Sequence, residues 1–420
     1  LLNKTSRHDP YQALRLGDYR LLLLGSFIAT LGEQMLTVAI GWELYERTSS
    51  AFLLGLVGLV QVFPAFVLSL YAGHLADRLN RKGLIVVSQI VLLLASLGLA
   101  ALSYWQGPLL LIYGCLLLIG TAATFNAPAA TTLPALILPA EAFENAATWS
   151  SSAWQLSSVI GPALGGLVIA ILGNATLVYV LNALAALAFT LLILPVRLKP
   201  ITPTSSSYQP ESTATETTTL QSLGEAITFL RHTPLLLAAI TLDLFAVLFG
   251  GATSLLPVFA KDILQVGPEG LGWLRAAPAV GALGVAFVLA HRPPFKQAGR
   301  TLLFAVAGFG AATIVFGLSH SFWLSVLMLL ALGGLDNISV VIRETLALTR
   351  TPDEMRGRVA AINGLFINAS NQLGGFESGL TAQLFGPVLS VVGGGIGTIL
   401  VVLMVALVWP QLRRLRALSL

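Results

Sequence analysis

The sequence predicts an all-α membrane protein with twelve transmembrane helices in two pseudo-symmetric six-helix bundles. Three observations carry that reading. First, the chain has 420 residues, of which 56% are hydrophobic and only 10% charged, and its mean hydropathy is +0.84. A soluble domain carries roughly 25% charge, so this chain has too few polar side chains to coat a water-facing surface. Second, apolar runs of about 20 residues, enough to cross roughly 30 Å of hydrocarbon, recur from end to end. The alternating segments of a membrane barrel are missing. Third, the cations collect on alternate loops.

Spans are expected near 20–46, 51–72, 84–104, 109–137, 143–172 and 174–195, and again near 234–260, 268–290, 301–319, 322–345, 359–384 and 387–409. Residues 196–222 between the sets are polar and rich in Ser, Thr and Pro, a composition that buries no core and reads as a flexible linker. The domain plan is therefore 1–195, linker 196–222 and 223–420. An even number of crossings puts both termini and the linker on one side. That side collects Lys4, Arg7, Arg15, Arg78, Arg81, Lys82, Arg197, Arg292, Lys296, Arg300, Arg350 and Arg413, among others, while the opposite side receives only Arg47 and Lys261. The positive-inside rule then makes both termini cytoplasmic. No removable signal peptide is expected, and the first span should direct insertion.

Composition also excludes several functions. The single cysteine, Cys115, makes neither an internal disulfide nor a metal set. The five histidines sit at loops or span ends and form no cluster, so neither an enzyme constellation nor a metal site is expected. No glycine-rich loop followed by lysine suggests ATP hydrolysis, no run of basic and aromatic residues suggests a nucleic-acid groove, and no cofactor is implied.

An internal repeat supports the two sets. A shift of 213 residues places Thr132-Leu133 on Thr345-Leu346, Pro139 on Pro352, Glu141 on Glu354, Gly161 on Gly374 and Gly166-Leu167 on Gly379-Leu380. Parallel halves related in this way are one known transporter plan.

The most charged short stretch is Gly73-His74-Leu75-Ala76-Asp77-Arg78, followed by Arg81-Lys82, and it is read as a tight polar turn between spans two and three. Gly73 would let two helices approach closely. Asp77 could face the positive N-terminal end of a neighbouring helix; the alternative is a solvated, topology-setting turn. In span five, Gly161-Pro162-Ala163-Leu164-Gly165-Gly166 combines a helix-kinking proline with small residues for close packing.

Ionisable groups inside spans are costly and point to function. Glu33 lies mid-span in the first helix beside Gln34, Asp243 in span seven, Arg275 in span eight, and Asp336 and Arg343 in span ten. Glu33, Asp336 and Asp243 are the proton-coupling candidates. The alternative fixes each in an ion pair, with Arg275 or Arg343 as the cation. Gly364, Asn368, Asn371 and Gly375 share one face of span eleven. With Gln372 they read as a small polar cavity lining or as polar glue between helices. Gln34, Gln61, Asn126, Gln155, Arg275 and Arg343 complete the cavity candidates. Trp149, Trp154 and Phe366 could stack on a ring-bearing substrate or simply pack.

The loop Gly73–Lys82 resembles the signature loop of the major facilitator superfamily, and Gly161–Gly166 is similar to its antiporter motif, with Ser157 where that motif starts with glycine. Stretches 336–343, 351–359 and 368–374 resemble the enterobactin-exporter-like branch of bacterial efflux proteins. The resemblance implies a latch between Asp77 and span eleven, and a tight interface around Pro162. It further implies a monomeric secondary transporter of the bacterial cytoplasmic membrane. Its partners would be a partly hydrophobic small-molecule substrate such as a siderophore or drug, protons, and membrane lipids. A lipid flippase is the alternative. Span four lacks the arginine that many proton-driven drug exporters carry.

Overall fold

The computed structural model describes residues 9–198, 228–293 and 295–416, so the expected linker lies outside the described residues apart from 196–198. Twelve long helices follow one another: α1 (Gly17–Thr48), α2 (Ala51–Arg78), α3 (Arg81–Tyr104), α4 (Leu109–Ile137), α5 (Phe143–Leu172), α6 (Thr176–Ile193), α7 (Pro234–Phe249), α8 (Gly267–Ala290), α9 (Ala298–Leu318), α10 (Phe322–Arg350), α11 (Asp353–Phe385) and α12 (Pro387–Val408), with a short α13 (Pro410–Arg414) behind them. Among the described residues no strand occurs. Eleven crossings are long and apolar enough to span a bilayer, the seventh running from Pro234 to Ile263. The remaining long helix, α11, carries the amides and charges that lower its hydropathy, yet its 33 residues reach about 50 Å at 1.5 Å per residue.

Two elements differ from the sequence reading. The stretch Gly73–Arg78 is helix rather than turn: α2 runs through Arg78, and only Leu79 and Asn80 separate it from α3. One glycine among good helix formers does not stop a helix, whereas Asn80 starts the next by accepting a hydrogen bond from Lys82 N at 3.0 Å. The seventh crossing is not one regular helix. It breaks after Phe249 into a 3₁₀ turn (Gly251–Leu255), one helical turn (Leu256–Val258) and a π segment (Phe259–Ile263). A Cβ at Gly251 would stand 2.5 Å from Gly374 O, so the chain there presses directly on α11. Between α11 and α12 the joint is a single residue, Gly386, at φ +89°, a conformation glycine adopts without strain.

Packing divides the chain into two compact units. The first holds residues 1–36, 64–161 and 176–206; the second holds 37–63, 162–175 and 207–420. The boundaries cut through α1, α2 and α5, so the portions of these helices far from the linker end belong with the second half of the sequence. The core of the first unit packs Tyr19, Ile85, Leu133, Phe189 and Ile193. Its N-terminal segment is tied to α5 by Asn145 Nδ2 and Trp149 Nε1, which donate to Pro10 O at 2.7 and 3.0 Å. In the second unit, Leu236, Leu242, Leu302, Ile342 and Leu412 form the core.

Candidate functional site

The second unit buries charge. Arg343 on α10 forms an ion pair with Asp243 on α7, and the two side chains are only 9% and 8% exposed. Asp336 lies seven residues before Arg343, on the same face of α10. With Asp243 and Ser339 it lines a cavity of about 10 Å³, close to the least space that holds one water molecule. Asp336 makes no hydrogen bond among the described residues, and Arg343 Nε and Asn337 Oδ1 are buried without a partner. A second carboxylate, Asp336, thus stands beside a buried Arg343–Asp243 ion pair without joining it. The sequence offered Arg275 or Arg343 as the cation, and the structure selects Arg343. Arg275 instead donates to Thr253 O, at a long 3.4 Å, in the broken part of the seventh crossing. There it helps satisfy a carbonyl that a regular helix would have bonded.

In the first unit, Gln34 Nε2 donates to Ser158 Oγ at 3.3 Å, joining α1 to α5. Glu33 is exposed although it sits mid-helix. Ser157, which replaces the first motif glycine, is fully buried and donates to Phe27 O at 3.3 Å. Gly161 lies where a Cβ would come within 2.5 Å of Gln34 Cβ; Pro162, Gly165 and Gly166 are buried. An apolar cavity of about 320 Å³ lies between α1 and α5, lined by Leu23, Leu24, Phe27, Trp149 and Leu156, with Arg20 and Ser152 as polar members. Trp149 was foreseen. Leucines 23, 24 and 156 were not, because a leucine in an apolar run has no distinguishing mark until a neighbouring helix leaves space beside it.

Two helix crossings in the second unit have no room for side chains. On α5, Gly166 lies against Gly272 of α8, where an added Cβ would come within 2.9 Å of the Gly272 Cα. On α11, Gly379 lies against Gly55 of α2, where it would come within 2.7 Å of the Gly55 Cα. Gly166 and Gly379 are the pair superposed by the 213-residue repeat. Equivalent positions in the two halves therefore make equivalent backbone-to-backbone contacts, each with a helix from the other half. Beside them Tyr45 of α1 donates to Asp262 of the π segment, and Lys261 lies over the Tyr45 ring.

The amide stripe of α11 is graded. Asn368 and Asn371 are exposed, and Asn371 Nδ2 turns back to Ile367 O at 2.9 Å. Gln372 packs on α2, its Oε1 2.5 Å from where a Cβ at Gly58 would stand. A Cβ at Gly364 would meet no described atom within 4 Å, whereas one at Gly375 would meet Ser254 Oγ at 2.8 Å. Among the described residues the stripe is thus open around Gly364 and packed by Gly375. Gln61, Asn126 and Gln155 are partly buried, and Asn126 Oδ1 is without a partner.

For the signature loop, the side chains of Asp77 and Arg78 lie outside the described residues. A Cβ at Gly73 would meet no described atom within 4 Å. Arg81 is partly buried. Lys82 has a role the sequence did not show: its Nζ donates to Leu194 O and, at 2.9 Å, to Val196 O, closing the C-terminal end of α6.

Comparison with known proteins agrees with this architecture. The profile of the transmembrane secretion effector family matches residues 8–418. The enterobactin exporter EntS of Shigella boydii serotype 4 (strain Sb227) is 28% identical over 402 residues, covering 95% of this chain and 93% of the exporter. The multidrug efflux pump Tap of Mycolicibacterium fortuitum is 27% identical over 386 residues, covering 88% and 90%. Among solved structures, a bacterial homologue of the human lysosomal transporter Spinster, inward-facing and unoccupied, matches with a TM-score of 0.73 at 15% identity, covering 97% of this chain and 98% of its own. A POT family transporter in complex with 5-aminolevulinic acid matches at 0.71 and 12% identity, covering 94% and 96%. The last two likenesses concern the fold alone. With a family profile spanning nearly the whole chain and efflux proteins as its relatives, this chain belongs to the transmembrane secretion effector family of the major facilitator superfamily and is a multi-pass membrane transporter.

Proposed function

We propose that the protein is a proton-coupled exporter of a partly hydrophobic small molecule, such as a siderophore or drug, in the bacterial cytoplasmic membrane. Both termini would be cytoplasmic, and the halves 1–195 and 223–420 would alternate access around a midplane site. The observation that carries the coupling is the Asp243–Arg343–Asp336 arrangement. An ion pair leaves one carboxylate over, and bare charge in a span is expensive. A proton on Asp336 balances the group, and its departure gives Asp336 a claim on the guanidinium that Asp243 holds. The exchange would weaken the tie between α7 and α10, which is how a proton could bias a two-state packing. Glu33, accessible on α1, is the second coupling candidate.

Support for export comes from the relatives, whose names specify enterobactin and multidrug efflux; they do not favour the flippase alternative. Support for a partly apolar cargo comes from the cavity beside Trp149. The two glycine crossings and the Tyr45–Asp262 contact would be the seal that opens on release, with Asp77 as the counterpart latch at the linker end.

The test is drug or siderophore efflux from inverted vesicles carrying an imposed pH gradient. Asp336→Asn and Glu33→Gln are each assayed after the amount of folded protein has been matched. Gradient-driven transport should disappear in Asp336→Asn. Undiminished gradient-driven transport in both variants would remove the carboxylates from the coupling role.

A further inference from the structure

At the linker end of the second unit lies a feature that transport does not use. An open depression of about 530 Å³ is lined by Lys296, Arg300, Arg413, Arg414 and Arg416, with Gln297 and Leu415 completing the wall. No carboxylate lines it among the described residues. Positive charges do not gather this way without cost, since each raises the potential felt by the next.

The cations are held on a fixed frame. Behind α12 the chain turns at Trp409 into α13, whose Leu412 is fully buried in the core of the second unit. The segment then lies against the first turn of α9: Ala298 N donates to Arg416 O at 2.8 Å and Gly299 N to Leu415 O at 3.2 Å. Gly299 is pressed against Leu412 O so closely that no side chain fits there. The N-terminal end of the 21-residue α9 adds its own partial positive charge to the site. Topology requires cations at this end of the helices; it does not require five of them to converge on one bowl tied by main-chain hydrogen bonds.

The surroundings identify the anion. The bowl sits where α9 begins and α12 ends, at the ends of two helices long and apolar enough to span a bilayer. Directly along α9 from Arg300, one turn deeper, Phe304 is 75% exposed. On the adjoining α12, Leu400, Leu403, Met404 and Leu407 are exposed, Leu407 by 76%. A soluble anion would need only the cations. A cationic bowl at the end of two helices that also carry exposed apolar side chains fits a molecule with an anionic head and hydrocarbon tails.

We propose that this depression binds the phosphate headgroup of an anionic phospholipid, with the acyl chains lying along the exposed faces of α9 and α12. The test uses the full-length chain in detergent, with phosphatidylglycerol, phosphatidylcholine or inorganic phosphate as the probe. Bound lipid is counted by native mass spectrometry, and the thermal midpoint is followed in parallel. Phosphatidylglycerol should be retained in preference to phosphatidylcholine and should raise the midpoint. Arg413→Gln/Arg414→Gln/Arg416→Gln should weaken its binding by roughly 100-fold, taking about fivefold for each of the three cations. Arg300→Gln, a single exposed change on α9, gives a weaker loss in the same direction and serves if the triple variant fails to fold. Arg350→Gln, at the same end but outside the bowl, should change nothing. Equal binding of the two lipids, or unaltered phosphatidylglycerol binding in the arginine variants, would overturn the proposal. Stabilisation by inorganic phosphate equal to that by phosphatidylglycerol would also overturn it, by identifying a free-anion site.

Discussion

The interiors of the two compact units are held by different chemistry. In the first, the buried polar contacts are neutral. Asn182 Nδ2 donates to Ser96 Oγ at 2.8 Å, Tyr19 Oη to Ala146 O at 2.7 Å, and Gln34 to Ser158. The ion pair Arg15–Asp9 lies at the surface. In the second, charge is buried: Arg343–Asp243 on α7 and α10, and Arg47–Glu43 at 3.2 Å on α1. Neutral hydrogen bonds hold a packing with little sensitivity to protons or potential. A buried charge group has two states that differ by a proton, and it changes what its neighbours can afford. On the proposed coupling, the neutral contacts would act as scaffold and the charged ones as switch.

The largest expected effect comes from breaking the charged interior on one side. Arg343→Met leaves Asp243 buried without its cation and should cost about 3–5 kcal/mol, read as a large fall in thermal midpoint or loss of folded protein in detergent. The double change Asp243→Leu/Arg343→Met removes both charges and should recover most of that stability while gradient-driven transport stays lost. A double variant as unstable as the single one would show that packing, not charge balance, governs the site.

The glycine crossings come next. Gly379→Ala and Gly166→Ala each place a methyl group against backbone that cannot swing aside, and overpacking of this kind costs about 1–3 kcal/mol. Because the repeat gives both glycines the same contact, the two variants should shift the midpoint alike and should both raise the reactivity of a cysteine introduced at Tyr45. A shift in only one of them would mean the symmetry is of sequence alone.

Smaller effects test the neutral interior. Asn182→Ala removes the bond to Ser96 and should cost about 1 kcal/mol, with gradient-driven transport retained. If transport fails at normal stability, the division between neutral scaffold and charged switch is wrong. Lys82→Met, which uncaps α6, should cost about 0.3–1 kcal/mol, at the edge of what a thermal midpoint resolves.

Hydrophobicity marked most of the fold directly. The spans expected at 109–137 and 143–172 coincide with α4 and α5, because apolar length and polar punctuation are properties of the chain itself. The misreadings were local. Gly73–Arg78 looked like a turn because it is charged, but charge does not break a helix that emerges from lipid into water. The seventh crossing looked regular because the pressure of α11 on Gly251 is invisible in one dimension.

Residue types and charge asymmetry were determined by the sequence alone: twelve membrane-length helices, their alternation, the repeat, and which carboxylates lie in spans. Only the tertiary structure decided partners. Arg343 rather than Arg275 faces Asp243, Lys82 caps α6, Gly166 and Gly379 find Gly272 and Gly55, and five distant cations share one bowl. Burial of apolar length depends on each segment's own composition, whereas pairing depends on which side chains distant segments bring within a few ångströms of one another.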